Sequence, residues 1–292
     1  MLTMKILFLL LISTWLIATD IRVEILGSGG PELDGRASAS YLIWIDEHAR
    51  LLIDTGSGSM LRFEQSGAKL IDLEAIALTH LHIDHVVDLP SYVKAGYFTR
   101  RSEALPIIGP VGNAYFPSTQ EYLELTFGKR GTYRYMSDVL TPQSDSFQLL
   151  AESINAPSIQ KRHFKHFELS IINVNHGIVP ALAFRIDIGT KSIVISGDTS
   201  NLNMQLEKLA KNADLFIAHH AIPEMHGTYV NKLHMTPTTI AEVAQKAKVK
   251  KVLLTHRMKR TLGREKESLK IIKSRYKGNV LFAEDRMIIE IN

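Results

Sequence analysis

Four residues able to bind a metal, His80, His82, Asp84 and His85, fall within six consecutive positions of the segment Thr79-His80-Leu81-His82-Ile83-Asp84-His85. Neutral imidazole and carboxylate are donors that zinc, iron and manganese accept. Without an opposing cation, so dense a group would be costly to bury, and a bound metal removes that cost. Three further residues of the same chemical kind, His176, Asp198 and His256, each follow a run that reads as a strand: Glu168 to Val174 in the strand-rich stretch from Phe147, the apolar and β-branched Ser192 to Ser196, and Val252 to Leu254. One ion needs three or four ligands, so these seven residues suffice for two ions with a shared carboxylate.

The elements that must position these residues are buried strands. Ile76-Ala77-Leu78 reads as one. If the chain stays extended beyond it, His80 and His82 point to one side, because side chains alternate along a strand. Asp84 and His85 then fall at the turn into a helix, with Val86, Val87 and Leu89 as its apolar face. Upstream, Ile21 to Leu26 reads as a first strand, ended by the Gly27 to Pro31 turn. Tyr41 to Ile45 and Leu51 to Ile53 read as paired strands joined through Asp46 to Arg50. Asp54-Thr55-Gly56 has no second copy in the chain to supply the paired carboxylates of an aspartic protease. Asp54 is therefore expected to hydrogen-bond a metal ligand from behind.

Downstream, Ile107 to Pro110 predicts a strand, Ser118 to Phe127 a short helix, and Thr236 to Lys248 a helix starting at Thr236-Pro237. Leu215 to Ala218 predicts another strand, running into His219-His220. Strands alternate with helices, which implies sheets covered by helices. Their ends are where such folds build sites. His163 and His166 lie in the basic run Lys161 to Lys165 and are expected to be solvated. Lys246, Lys248, Lys250, Lys251, Arg257, Lys259, Arg260 and Arg264 make a basic stretch around His256. Most of it is expected to be a solvated face, with Arg260 the residue suited to an anionic group.

The chain has 292 residues, 45% of them hydrophobic and 22% charged, an ordinary globular composition rather than a disordered one. Its formal charge of +4 is a slight lean toward anionic partners. The absence of cysteine excludes disulfides and lipid-modified cysteine. Residues 1–20 form a separate unit. A basic start and the apolar run Ile6 to Ala18 have the shape of a secretory signal peptide, or of an uncleaved N-terminal anchor, ahead of a single domain at 21–292. The expected location is exported, periplasmic or extracellular, with no stable membrane insertion unless that segment is uncleaved.

The segment from Thr79 to His85, with His176, Gly197-Asp198-Thr199 and His256, resembles the metallo-β-lactamase fold superfamily over nearly the whole chain from about residue 21. The resemblance implies an α/β fold, the αββα sandwich. It assigns His80, His82 and His176 to one zinc and Asp84, His85 and His256 to the other, with Asp198 bridging; iron or manganese would suit the same donors. β-Lactamases of this fold usually carry cysteine where Asp198 stands, so that activity is rejected.

Leu233-His234-Met235-Thr236 is similar to the helix-start histidine motif of ribonuclease Z and related phosphodiesterases. Arg260 and the segment His176 to Arg185 fit the same branch. The implied activity is phosphodiester hydrolysis by a metal-bridging hydroxide, with Asp84 orienting the nucleophile, a protonated His234 serving the leaving group and Arg260 binding substrate. Only 22 residues separate His176 from Asp198, which leaves no room for a long tRNA-gripping arm. Ala218-His219-His220 stands where the family shows a His-Glu pair. The expected substrate is therefore a small-molecule or nucleotide-type ester, with nucleic acid less favoured. Carboxylic, lactone or aryl-sulfate esters are the rival class. A homodimer is the state the resemblance implies.

Overall fold

A computed structural model describes residues 19–144 and 146–292. The leader or anchor expected at residues 1–20 thus lies, but for its last two residues, outside the described residues. Among the described residues, no helix is long and apolar enough to cross a membrane. The strands run β1 (Ile21–Gly27), β2 (Ser40–Ile45), β3 (His48–Ile53), β4 (Ala75–Ala77), β5 (Leu105–Pro110), β6 (Leu149–Ile154) and β7 (Gln160–His163). They continue as β8 (Glu168–His176), β9 (Val179–Ile188), β10 (Lys191–Ile195), β11 (Leu215–His219), β12 (Lys251–Thr255), β13 (Asn279–Phe282) and β14 (Ile288–Glu290). Two seven-stranded sheets result, in the orders β14-β1-β2-β3-β4-β5-β6 and β13-β12-β11-β10-β9-β8-β7.

Period-two alternation makes these sheets a sandwich. Tyr41, Ile43 and Ile45 of β2 join Leu215 and Ile217 of β11 and Leu253 of β12 in one core between the sheets. The residues between them face outward onto helices. Leu42 and Trp44 pack with Phe63 of α1 (Ser59–Gln65), Val86 of α2 (Ile83–Val86), Tyr92 of α3 (Leu89–Gly96) and Phe127 of α4 (Thr119–Phe127). On the second sheet, Phe216 and Val252 pack with Leu206 of α5 (Leu206–Leu209), Ile240 of α6 (Pro237–Ala247) and Ile272 of α7 (Glu265–Arg275). This is the αββα arrangement expected.

Each sheet is antiparallel on one side and parallel on the other. β3 to β6 are parallel, as are β10 to β13. The parallel strands β3, β4, β10, β11 and β12 end at Asp54, at the Thr79 to His85 segment, at Asp198, at His219 and at His256. All five open at carboxyl ends of strands, where this layout leaves a crevice. α6 forms where Thr236 caps it through Thr239 N and Pro237 fills its first position.

Several local expectations change. The β2–β3 turn is only Asp46-Glu47, both at positive φ (48° and 64°), which tightens the hairpin so that β3 starts at His48. Val87 is 40% exposed and does not share the apolar face of Val86 and Leu89. His166 is not free in solvent: its Nδ1 meets Glu74 Oε1 and ties the β7–β8 turn to the segment before β4. Arg257 is buried, where Glu265, Glu284 and the Ala283 carbonyl hold it.

The loop after β3 is pressed against α2. Thr55 N donates to His85 O at 2.7 Å, and a Cβ on Gly56 would sit 2.3 Å from Asp84 O. Gly56→Ala must therefore push α2, and with it Asp84 and His85, out of place. The expected cost is about 1–3 kcal/mol of unfolding free energy, measured by urea titration. Wild-type stability in that variant would contradict the packing described.

Candidate metal centre

The ligand segment does not continue β4. The strand ends at Ala77, and the chain beyond it bridges the two sheets, with Leu78 N bound to Ile108 O at 2.7 Å and Leu182 N of β9 bound to Thr79 O at 2.8 Å. His80 and His82 still converge, by this pinned path and not by strand alternation. Gly197 is required where the second sheet meets the segment. Its φ is +56°, and a Cβ there would lie 2.9 Å from Thr79 Cβ.

Seven predicted residues come together. His80 Nε2 lies 3.0 Å from His82 Nδ1, which lies 3.4 Å from His176 Nε2. On the other side, His256 Nε2 lies 3.2 Å from both His85 Nε2 and Asp84 Oδ2, and His85 Nε2 is 3.6 Å from Asp84 Oδ2. Donors around a tetrahedral zinc at 2.0–2.1 Å stand about 3.3 Å apart, so both triads have coordination spacing. Asp198 lies between them, its Oδ2 3.8 Å from His176 Nε2 and 4.0 Å from His85 Nε2. His234 Nδ1 approaches the same oxygen at 3.7 Å and has no hydrogen-bond partner. Arg260 is half-buried and close enough to depress His234; its Nε donates to Ala221 O at 2.8 Å and one Nη contacts Met258 Sδ.

The outer hydrogen bonds fix which nitrogens face inward. Asp54 accepts from Thr79 N and from Thr79 Oγ1 (2.7 and 2.8 Å), and from His85 Nδ1 at 2.7 Å. With its hydroxyl proton given to Asp54, Thr79 Oγ1 accepts from His80 Nδ1 at 3.0 Å. His176 Nδ1 donates to Leu233 O at 2.8 Å. The Nε2 atoms of His80, His85 and His176 are thus turned toward the centre, the arrangement of metal-bound histidines. Asp54 does what its place after β3 suggested.

Burial pushes His80 well below its ordinary range. Burial would also raise the carboxyl of Asp198, but His256 and His234 beside it and the hydrogen bond from His219 hold it well below the usual carboxylate range. Burial opposes a proton on His85 too, yet Asp54 outweighs it and lifts His85 to about 9. His234 is driven down to about 3, chiefly by burial. At neutral pH it is an uncharged imidazole, not the imidazolium expected from the sequence.

His219 was not on the predicted set, yet it belongs to this cluster: its Nδ1 lies 2.7 Å from Asp198 Oδ1. Its position at the end of a buried strand, like the other site residues, was the available signal. His220 turns away and meets Ser268 Oγ at 3.1 Å. Phe116, from the stretch between β5 and α4, brings its ring 5.8 Å from that of His82 and forms a wall beside it.

Two inward-facing triads on a shared carboxylate, at one edge of an αββα sandwich, define a metallo-β-lactamase-fold protein with a divalent-metal site. The profile of the β-lactamase superfamily domain matches residues 49–257. The chain is 30% identical over 252 residues to ribonuclease Z of Mycobacterium sp. (strain KMS), spanning 81% of this chain and 84% of that protein. Among solved structures, the metallo-β-lactamase fold protein YhfI from Bacillus subtilis superposes with a TM-score of 0.74 at 21% identity, over 93% of this chain and 99% of the other. Human tRNase Z, short form, does so with 0.70 at 21% identity, over the same shares. The chain belongs to the β-lactamase superfamily and, within it, to the ribonuclease Z-like branch.

Because Asp54 raises the affinity of the His85 ring for a proton against the effect of burial, an ion at Nε2 competes with protonation there. Calorimetric titration of the metal-free protein with Zn2+ at pH 7, in buffers of different ionisation enthalpy, should show net proton release. Zero release would mean that Asp54 does not keep His85 protonated at that pH.

Proposed function

We propose that the chain is a metal-dependent phosphodiesterase working with two divalent ions, zinc being favoured over iron or manganese. The observation that carries this reading is the pair of triads sharing Asp198, with His234 beside them but in neither. His80, His82 and His176 would hold one ion and Asp84, His85 and His256 the other. Charge supports two ions over one. Asp84 and Asp198 in the centre and Asp54 behind it carry three negative charges, so one divalent ion leaves the site anionic, whereas two would offset the carboxylates and a hydroxide and so admit a phosphodiester monoanion.

Two such ions supply Lewis acidity and a nucleophile available at neutral pH. The protein's own groups do the rest. Burial disfavours the Asp84 carboxylate, but the hydrogen bond with His256 and the nearby His85 hold it down to about 2. It therefore stays ionised and can accept a hydrogen bond from the attacking water, orienting it toward phosphorus. His234, neutral and with Nδ1 facing the centre, can donate its N–H to an oxygen that gains charge as the ester bond breaks. Arg260 stands near His234, where a guanidinium can bind a phosphoryl oxygen.

A small-molecule or nucleotide-type diester is favoured over a long nucleic acid. Part of the basic stretch is paired or buried: Lys250 pairs with Asp214 at 2.7 Å, Arg264 with Glu267 at 2.8 Å, and Arg257 is buried. Those contacts thin the charge that a phosphate backbone would track. Export is the companion proposal and rests on the leader-like pattern of residues 1–20.

Bis(p-nitrophenyl) phosphate should be hydrolysed by metal-loaded protein, silenced by chelator and restored by Zn2+, ahead of a p-nitrophenyl acyl ester, an aryl sulfate and a lactone. Faster turnover of any of the latter would replace this reading with the rival ester class. His234→Ala should lower kcat by roughly 10²- to 10³-fold with metal content unchanged. Metal loss in that variant would make His234 a ligand instead.

A further inference from the structure

His219 is near enough to the centre to be mistaken for a ligand, since its donor atom groups with those of His85, Asp198 and His256 within 4.8 Å. Its hydrogen bonds assign it a different task. Nδ1 stands 2.7 Å from Asp198 Oδ1, and Nε2 stands 2.8 Å from the hydroxyl of Tyr41. A carboxylate only accepts, so Nδ1 must carry the proton. With Nδ1–H given to Asp198, Nε2 is the nitrogen that faces the tyrosine hydroxyl, which can donate to it. Both ring nitrogens are used by the protein, and neither is left to bind an ion.

Tyr41 is fully buried on β2 of the first sheet, whereas His219 ends β11 of the second. The pair therefore spans the sandwich. His219 has little freedom to turn, because its ring stacks on His256 (centroids 4.9 Å apart, planes 15°) and on His85 (5.8 Å, 29°). Its backbone is fixed too: His219 N donates to Ser196 Oγ at 3.1 Å, on the strand connection that delivers Asp198. The tyrosine hydroxyl also lies 3.4 Å from Thr255 Oγ1, next to His256 in sequence.

We propose that Tyr41 and His219 form a clamp across the two sheets that holds Asp198 in the rotamer facing both triads. His219 is thus a positioning residue and Tyr41 the anchor that sets its tautomer. With the carboxylate held by His219, Oδ2 stands 3.8 Å from His176 Nε2 and 4.0 Å from His85 Nε2, and Oδ1 stands 3.7 Å from His256 Nε2, so that Asp198 faces both triads. Released, the carboxylate can rotate about its side-chain bonds and lose contact with one triad.

The inference rests on the centre's being a metal site, and the test separates the two. Zn2+ affinity and stoichiometry are measured, without substrate, by competition with a chromophoric chelator for the wild type, Tyr41→Phe, His219→Asn and His219→Leu. Melting curves of the metal-free proteins report on the fold. Tyr41→Phe keeps the ring and its packing and removes only the donor. The Asn side chain can offer an N–H where Nδ1–H stood, whereas Leu offers none. His219→Leu and Tyr41→Phe should weaken Zn2+ binding by roughly 10- to 100-fold, and His219→Asn should recover most of the loss. Unchanged affinity in both Tyr41→Phe and His219→Leu overturns the clamp. So does equal loss in the Asn and Leu variants, which would make His219 a ligand or a packing residue. A wild type that binds no Zn2+ defeats the metal-site reading itself.

Discussion

Ring nitrogens that crowd one another where the two sheets meet are the constraint on which the rest of the molecule depends. His80 Nε2, His82 Nδ1 and His176 Nε2 converge at 3.0 and 3.4 Å. The protons of His80 and His176 are committed on the far sides of their rings, to Thr79 and to the Leu233 carbonyl. No hydrogen is left between those two nitrogens to make their approach favourable, and burial opposes protonating His80. A cation at the focus satisfies all three at once. The hydrogen bonds behind the rings do not merely support the ligands; they decide which nitrogen is available.

Holding that arrangement takes both sheets. Asp54 and the Thr79 to His85 segment come from the first, and Asp198, His219 and His256 from the second, while His176 ends β8. Hence the crossing points are tight. Thr79 O is bonded to Leu182 N of the opposite sheet, and Gly197 passes so close to Thr79 that no side chain fits there. The apolar core between the sheets, from Ile43 to Leu253, fixes their separation. It thereby sets the distance across which imidazoles and carboxylates must meet.

What could be read from the sequence follows from how local each signal is. The Thr79 to His85 segment carries four donors side by side, and an apolar run ahead of Asp198 and His256 marks each as a strand end. The choice between His219 and His220 was not legible. Leu215 to Ala218 is apolar throughout, so the run gives no clue to which face is which. In the fold Leu215 and Ile217 face the core between the sheets, and alternation then sends His219 to the site and His220 toward Ser268 of α7. β7 lies in the strand-rich stretch from Phe147 to Val174, but its own bounds were hidden for the opposite reason. Its residues Gln160-Lys161-Arg162-His163 are all polar, and it is a strand because β8 offers it an edge. The charge state of His234 also escaped, since burial sets it and no local pattern encodes burial.

The two sheets hold their parts of the centre by one device with its roles exchanged. In the first sheet a carboxylate that is not a candidate ligand, Asp54, grips an imidazole that is, His85, at 2.7 Å. In the second, an imidazole whose nitrogens are both spent, His219, grips the carboxylate of Asp198, also at 2.7 Å. The electrical consequences are opposite. Asp54 makes His85 more basic and a stronger donor to a cation, whereas a neutral N–H on Asp198 Oδ1 draws charge from the carboxylate and weakens that oxygen as a donor. One oxygen of Asp198 thus gives up basicity to orientation while still standing 3.7 Å from His256 Nε2, and the other lies 3.8 Å from His176 Nε2. That trade suits a bridging group better than a terminal one, because a bridge needs a fixed direction more than it needs maximal basicity.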